Sequence, residues 1–322
     1  MTEFDVVCVG CVTVDSIAVV DHVPAEDERV ESQPFVDSGG GPAATAAVTL
    51  ARLGHRVAFC GVTGPGTTGA RARELLEAEG VDTRWLRARP GGRTARSMIL
   101  VSRSAGARAI VTAPGTAPEP ADVPVAASRW IHADQAGYAA ARAALASEAQ
   151  ATGARVAGAR DGRASFSVDG GNPIPGLGLD GVDLYVPTAA RLRADFPQPT
   201  LPGSLEAARQ AGAGAVVATE GARGAYLRSG DAWVLVPSFG VDVVSTMGAG
   251  DVFHGALLAG LLEGRDLRAA VVFANAVAAM SCRALDGRAA IPSRREADAF
   301  VKAQGRDPVK DISLNNSERK TA

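Results

Sequence analysis

The segment Val243-Val-Ser-Thr-Met-Gly-Ala-Gly-Asp-Val-Phe-His-Gly-Ala-Leu-Leu-Ala-Gly260 reads as an apolar strand, a glycine turn and a helix. Such a turn leaves backbone N–H groups unpaired at a helix N-terminus. There they can hold an anion with the help of the helix dipole, and residues as small as Gly248, Ala249 and Gly250 let a phosphate approach the backbone. Asp251 falls in the first turn of the helix, beside that anion pocket. A carboxylate there can accept the proton of an alcohol that attacks a phosphoryl group, while the amides offset the charge that develops. Gly248, Ala249, Gly250 and Asp251 are therefore the candidate catalytic group. An acidic residue in a first turn also complements the dipole without any catalytic role, so these four residues alone leave both readings open.

Other patterns point to different chemistry. Gly64-Pro-Gly-Thr-Thr-Gly69 is a G-x-G-x-x-G between a strand and a helix, and Arg84, Arg87 and Arg89 downstream would suit a 2′-phosphate. That pattern nominates an NADP-dependent oxidoreductase, against which no acidic residue ends the next strand. Cys8 and Cys11 form a C-x-x-C with no second Cys or His pair nearby, so strand-end packing is expected over a redox or zinc site. His22, His55, His132 and His254 have no metal spacing, and His254 is expected to pack near the site.

These residues are carried by an alternation of strand and helix. Asp5–Gly10 is a short apolar run of the kind buried in a parallel sheet. Segments 16–20 and 29–36 look like short half-polar strands around the turn formers Pro24-Ala-Glu-Asp27. Helix 43–53, capped by Gly54, precedes strand 56–61; helix 68–79 precedes strands 84–87, 97–101 and 108–112. Strand 128–133, helix 139–152, strands 155–159 and 182–186, helix 205–211 and strand 215–219 follow, then a hairpin around Gly230-Asp231 and helices 249–262 and 267–284. The pattern predicts a three-layer, doubly wound, mostly parallel α/β sheet. One domain over residues 1–304 is expected, with a small β lid inserted at about 12–37 and 83–113 and a mobile tail over 305–322.

Composition narrows the classes. The 322 residues fit one large α/β core with an appendage, and a formal charge of −2 supplies no field for nucleic acid. No long apolar run and no basic leader segment occur, so neither a membrane span nor secretion is expected. Four cysteines are too few for a disulfide scaffold and fit a cytoplasmic protein.

Ser245-Thr-Met-Gly-Ala-Gly-Asp251 closely resembles the D-T-x-G-A-G-D signature of the ribokinase/PfkB carbohydrate kinases. Gly39-Gly-Gly-Pro-Ala-Ala-Thr-Ala-Ala47 resembles the family's N-terminal glycine signature. Gly10 with Asp15 resembles its first sugar-binding loop, and Val217-Ala-Thr-Glu-Gly-Ala-Arg-Gly224 its nucleotide segment. The resemblance spans about residues 4–303. Within the family, these glycines with Gly-Asp-Val-Phe-His-Gly-Ala and Gly287-Arg-Ala-Ala-Ile-Pro292 look most like the sulfofructose kinase branch.

The resemblance implies an ATP- and Mg2+-using kinase for a sugar-like small molecule, with Asp251 as general base and Gly248, Ala249 and Gly250 as anion hole. It implies Asp15, Arg29, Gly40, Gly41 and Thr45 for the substrate, Arg29 facing a sulfonate, and Thr219, Gly221, Gly224 and Asn275 for the nucleotide. The departures are specific. Ser245 replaces the Asp that helps bind a monovalent cation, which argues against potassium (K+) activation. Thr188-Ala-Ala-Arg191 stands where the magnesium-organising N-x-x-E would fall, leaving the metal ligands unassigned. Thr112 and Ala136 replace the Asn and Arg expected around a sulfonate. A catalytically silent sugar- or nucleotide-binding relative and a nucleoside kinase are the alternatives, and an exposed lid edge could pair two copies into a homodimer.

Overall fold

The computed structural model describes residues 2–104, 107–152, 164–305 and 312–313. The first half supplies β1 (Phe4–Val9), β2 (Thr13–Val20), β3 (Phe35–Gly40), α1 (Pro42–Arg52), β4 (Val57–Thr63), α2 (Thr67–Glu77), β5 (Asp82–Ala88), β6 (Ala95–Ser102), β7 (Ala107–Ala113), β8 (Ser128–Ala133) and α3 (Tyr138–Thr152). The second half supplies β9 (Ser165–Gly170), β10 (Leu184–Pro187), α4 (Ala189–Asp195), α5 (Leu201–Gln210), β11 (Ala215–Thr219), β12 (Ala225–Ser229), β13 (Ala232–Val236), α6 (Ala249–Leu262), α7 (Leu267–Ser281), α8 (Arg294–Ala303) and β14 (Ile312–Ser313).

Ten strands form the main sheet in the order β14-β13-β12-β11-β10-β9-β8-β1-β4-β5. Neighbours from β11 through β5 run parallel, and β12, β13 and β14 close that edge antiparallel. Strand β1 shows why its sequence is an unbroken apolar run: Val6 and Cys8 enter the core under α1, α2, α6, α7 and α8, whereas Val7 and Val9 enter the core under α3, α4 and α5. The expected three-layer α/β architecture is present. Among the described residues no helix is long and apolar enough to cross a membrane.

A second sheet, ordered β3-β2-β6-β7, stands on the β1–β2 connection. It differs from expectation in two places. Residues 82–88, assigned to the lid, instead pair with β4 at the edge of the main sheet. The strand expected over 29–36 starts at Phe35, because the exposed, charged stretch before it has nothing to bury and Pro34 has no N–H for a ladder. The strand expected over 155–159 lies outside the described residues. Ile312–Ser313, placed in the mobile tail, pairs with β13.

One buried carboxylate fastens the sheet to the elements that line the cleft. Asp134, at the C-terminal end of β8, accepts N–H bonds from Cys11 at 2.8 Å and Ala43 at 3.2 Å through Oδ2, and from Ala136 at 2.8 Å and Gly137 at 3.0 Å through Oδ1. Burial pushes its carboxyl up to about 6, with the N–H groups of Cys11, Ala43 and Gly137 pulling the other way. The approach requires Gly10, where a Cβ would lie 2.2 Å from the Asp134 carboxylate. In Asp134→Asn an amide NH2 must face N–H donors on one side. An unfolding free energy lower by about 2–3 kcal/mol is expected, a Tm drop of about 3–5 °C in a thermal melt.

Candidate active site

The glycine turn begins α6 as its spacing implies. Gly248 caps the helix with φ of 69°, in the left-handed region, and a Cβ there would come within 3.0 Å of Gly287. Asp251 lies in the first turn. The Ala249 N–H makes a long 3.3 Å bond to the Thr246 carbonyl. Facing this turn is the glycine loop between β3 and α1. A Cβ on Gly40 would lie 2.0 Å from Asp15 Oδ2, and one on Gly41 2.2 Å from the Cys11 carbonyl. Only a backbone without side chains can pass so close to Asp15.

Between the two glycine turns opens a cleft of about 310 Å3, partly open to solvent, that gathers Asp15, Gly40, Gly41, Thr45, Gly248 and Asp251. Asp15 Oδ1 is buried there without a well-aligned hydrogen-bond partner. Burial raises the Asp15 carboxyl, and Thr13, Ser97 and Arg288 pull it down. Burial and the neighbouring charge of Asp169 push Asp251 up to about 7, with His254 pulling it down.

Arg288 had no role in the sequence reading. Its buried guanidinium donates from Nε to Thr45 Oγ1 at 3.2 Å and from Nη2 to the Gly40 carbonyl at 2.9 Å. Arg52 of α1 reciprocates, donating to the carbonyls of Arg288 at 2.7 Å and Ile291 at 2.9 Å while Glu79 grips it at 2.7 Å. Burial lowers Arg288 to about 10, and the carboxylates of Asp15, Glu79, Asp251 and Asp286 oppose that. It therefore stays charged at neutral pH.

The remaining expected residues lie elsewhere. Thr219 ends β11, Gly221 has φ of 53°, and Gly224, with φ of 109°, passes so close to Val236 that a Cβ would lie 2.1 Å from its carbonyl. Asn275 spends its amide on the carbonyls of Val236 at 3.0 Å and Pro237 at 3.2 Å, tying α7 to the end of β13. Arg29 sits on the exposed loop between β2 and β3 and does not line the cleft. Gly64–Gly69 does join strand to helix. The turn around Gly92 fills it, a Cβ on Gly64 meeting the Gly92 carbonyl at 2.8 Å, while Arg84 and Arg89 are paired with acids. Cys8 is buried and burial pushes both its thiol and that of Cys11 up, which suits packing.

Asp134 and Asp169 were also missed, although each lies at the C-terminal end of a parallel strand, where sites gather. Asp169, Asp251 and His254 bring ligand atoms within 4.8 Å of one another. His254 Nε2 faces the Val186 carbonyl at 3.0 Å and Nδ1 faces Asp169 Oδ2 at 3.1 Å, so both ring nitrogens already have partners within the protein. At the position of the N-x-x-E segment, Thr188 caps α4 through the Arg191 N–H and Arg191 pairs with Asp195. No carboxylate is free in residues 188–191 to organise magnesium, and Ser245 spends its hydroxyl oxygen on the Met247 N–H at 3.2 Å.

Such a cleft can hold a hydroxylated molecule against Asp15, withdraw a proton at Asp251 and hold an anion at the α6 N-terminus. Fold and cleft together define a phosphotransferase with an alcohol group as acceptor. The family model described as pfkB family carbohydrate kinase matches residues 3–294, and the chain belongs to that family. It is 26% identical to a ribokinase of Bacillus subtilis (strain 168) over 92% of this chain and 99% of that one. It is 30% identical to an ATP-dependent ribose-1-phosphate kinase of Halopiger xanaduensis, over 92% of this chain and 96% of that one. The fold matches Arabidopsis thaliana ribokinase, solved with ribose and ATP, with TM-score 0.78 at 21% identity, covering 93% and 99% of the two chains.

Arg288→Met removes two buried bonds and leaves the Gly40 carbonyl unpaired. A loss of about 2–4 kcal/mol is expected in denaturant unfolding, with Arg288→Lys intermediate. An unchanged midpoint would show the bonds to be idle.

Proposed function

We propose that the chain transfers the γ-phosphoryl group of ATP to a hydroxyl of a neutral sugar or sugar-derived small molecule, with Asp251 as general base. The observation that carries this is the facing of Asp15 and Asp251 across one cleft at the N-terminus of α6. Asp15 Oδ1, buried without a well-aligned partner, gains one when a sugar hydroxyl donates to it. The target hydroxyl gives its proton to Asp251 as its oxygen attacks the γ-phosphorus, and the bond to the β,γ-bridging oxygen breaks to release ADP. The amides of Gly248, Ala249 and Gly250 with the helix dipole stabilise the charge on the transferring group. Thr219, Gly221 and Gly224 are the residues for the nucleotide. Residues 12–20 and 95–113 serve as a lid that excludes water, so that ATP is spent on the sugar and not on hydrolysis.

The glycines and acids of the cleft argue for a neutral acceptor: among the described residues no Arg or Lys lines it, Arg29 stands away from it, and Arg288 is engaged behind it. A panel of aldoses, ketoses, sugar phosphates, sulfosugars, keto-deoxy acids and nucleosides, read by ADP release, tests this. Turnover confined to anionic sugars or to nucleosides would overturn the neutral-sugar reading, and calorimetric ATP binding without turnover on any compound would favour a silent relative. Potassium is expected to leave the rate unchanged. Phe35, Met98 and Val111, exposed on one face of the small sheet, support pairing of two copies through the lid.

Asp251→Asn is expected to lower kcat by about 10²–10⁴-fold while calorimetry still registers ATP binding. Because a base must be deprotonated to act, kcat/KM is expected to rise with pH through about 7 and then level, following the raised Asp251 carboxyl. A pH profile already flat from 5 upward would contradict that assignment.

A further inference from the structure

We propose that Asp169 and His254 form a positioning pair in which Asp169 holds the His254 ring protonated, so that an imidazolium stands beside the Asp251 carboxylate and opposes the repulsion between the two acids. The proposal rests on the reading of Asp251 as the base. His254 follows Asp251 by three residues on α6, so the two side chains share one helix face. Its Nε2 can only donate to the Val186 carbonyl at 3.0 Å, because a carbonyl oxygen has no proton to offer. Its Nδ1 lies 3.1 Å from Asp169 Oδ2, in a contact bent away from ideal hydrogen-bond alignment and therefore foremost an ion pair. In a neutral ring the Nδ1 lone pair would point at a carboxylate oxygen. With both nitrogens facing acceptors, the imidazolium is the species that fits.

The surroundings make that charge consequential. Asp169, Asp251 and His254 have their polar atoms within 4.8 Å of one another. Two carboxylates so close, without a cation, would share a proton, and Asp251 could not act as a base. Asp169 is held in place by the Gly171 N–H at 2.7 Å. From β8, His132 lies with its ring centre 5.7 Å from that of His254; it bonds Ser167 at 3.1 Å, and burial lowers it to about 3, so it stays neutral. From the β8–α3 turn Asp134 adds negative charge, and from the 286–291 loop Arg288 adds positive charge. His254 is the cation that shares a helix face with Asp251, and the field of Asp169 and Asp251 raises its own proton affinity against the effect of burial.

The pair can be read in the ligand-free full chain, independently of any substrate. In 15N-histidine spectra, with His22 and His55 assigned through His22→Gln and His55→Gln, His254 is expected to carry protons on both nitrogens at pH 7.5. In Asp169→Asn it is expected to become neutral. A neutral His254 in the parent protein would overturn the proposal without bearing on kinase activity. In 13C-aspartate spectra, with Asp251 assigned through Asp251→Asn, His254→Gln is expected to raise the Asp251 titration midpoint by about one pH unit or more. A purely structural histidine would leave that midpoint where it was. A chain that phosphorylates no sugar but shows both shifts would retain the pair and lose the kinase reading.

Discussion

The four N–H bonds accepted by Asp134 are the constraint on which the cleft depends. They gather the chain leaving β1, the first turn of α1 and the start of α3 around one carboxylate at the end of β8. The amides of Cys11, Ala43 and Ala136 lie at a strand end or a helix start where ladder partners run out, so the acid satisfies the backbone and fixes its geometry together. Cys11 leads directly into β2 and Asp15, and Ala43 follows directly on the glycine loop. The Asp15 side of the cleft is thus set by a residue that does not line it.

The opposite side is set by charge. Burial raises the carboxyls of both Asp15 and Asp251. Arg288 behind the glycine loop opposes that at both acids, and its hydrogen bonds to Gly40 and Thr45 make it part of the wall. Since Asp251 is raised above its unfolded value of 3.8 to about 7, its contribution to stability is complete below about pH 4 and is lost as pH rises through 7. The fold therefore yields some stability in the pH range where this carboxyl ionises.

Much of the arrangement was legible because its causes are local. The turn at Gly248–Gly250 and Asp251 declares itself through residues four positions apart, and β1 through a run of apolar residues buried on both faces. Strand β9 was not legible, because Ser167 and Asp169 put polar atoms toward His132 and His254 where a core strand would carry apolar ones. Arg29 was assigned through resemblance alone, and nothing in its exposed loop turns it toward the cleft. Asp134 and Arg288 were assigned no role from the sequence. Their meaning lies in partners from distant segments, and no periodicity or spacing encodes those.

The reciprocal grip of Arg52 and Arg288 also orders events during synthesis. Arg288 lies 248 positions beyond Gly40, the carbonyl it holds. At ordinary translation rates the glycine loop waits roughly 10–50 s for its guanidinium to be made. A chain broken off before residue 288 retains the strands and glycines of the N-terminal half but lacks the cation that closes them into a cleft. The closed cleft is thereby confined to nearly finished molecules.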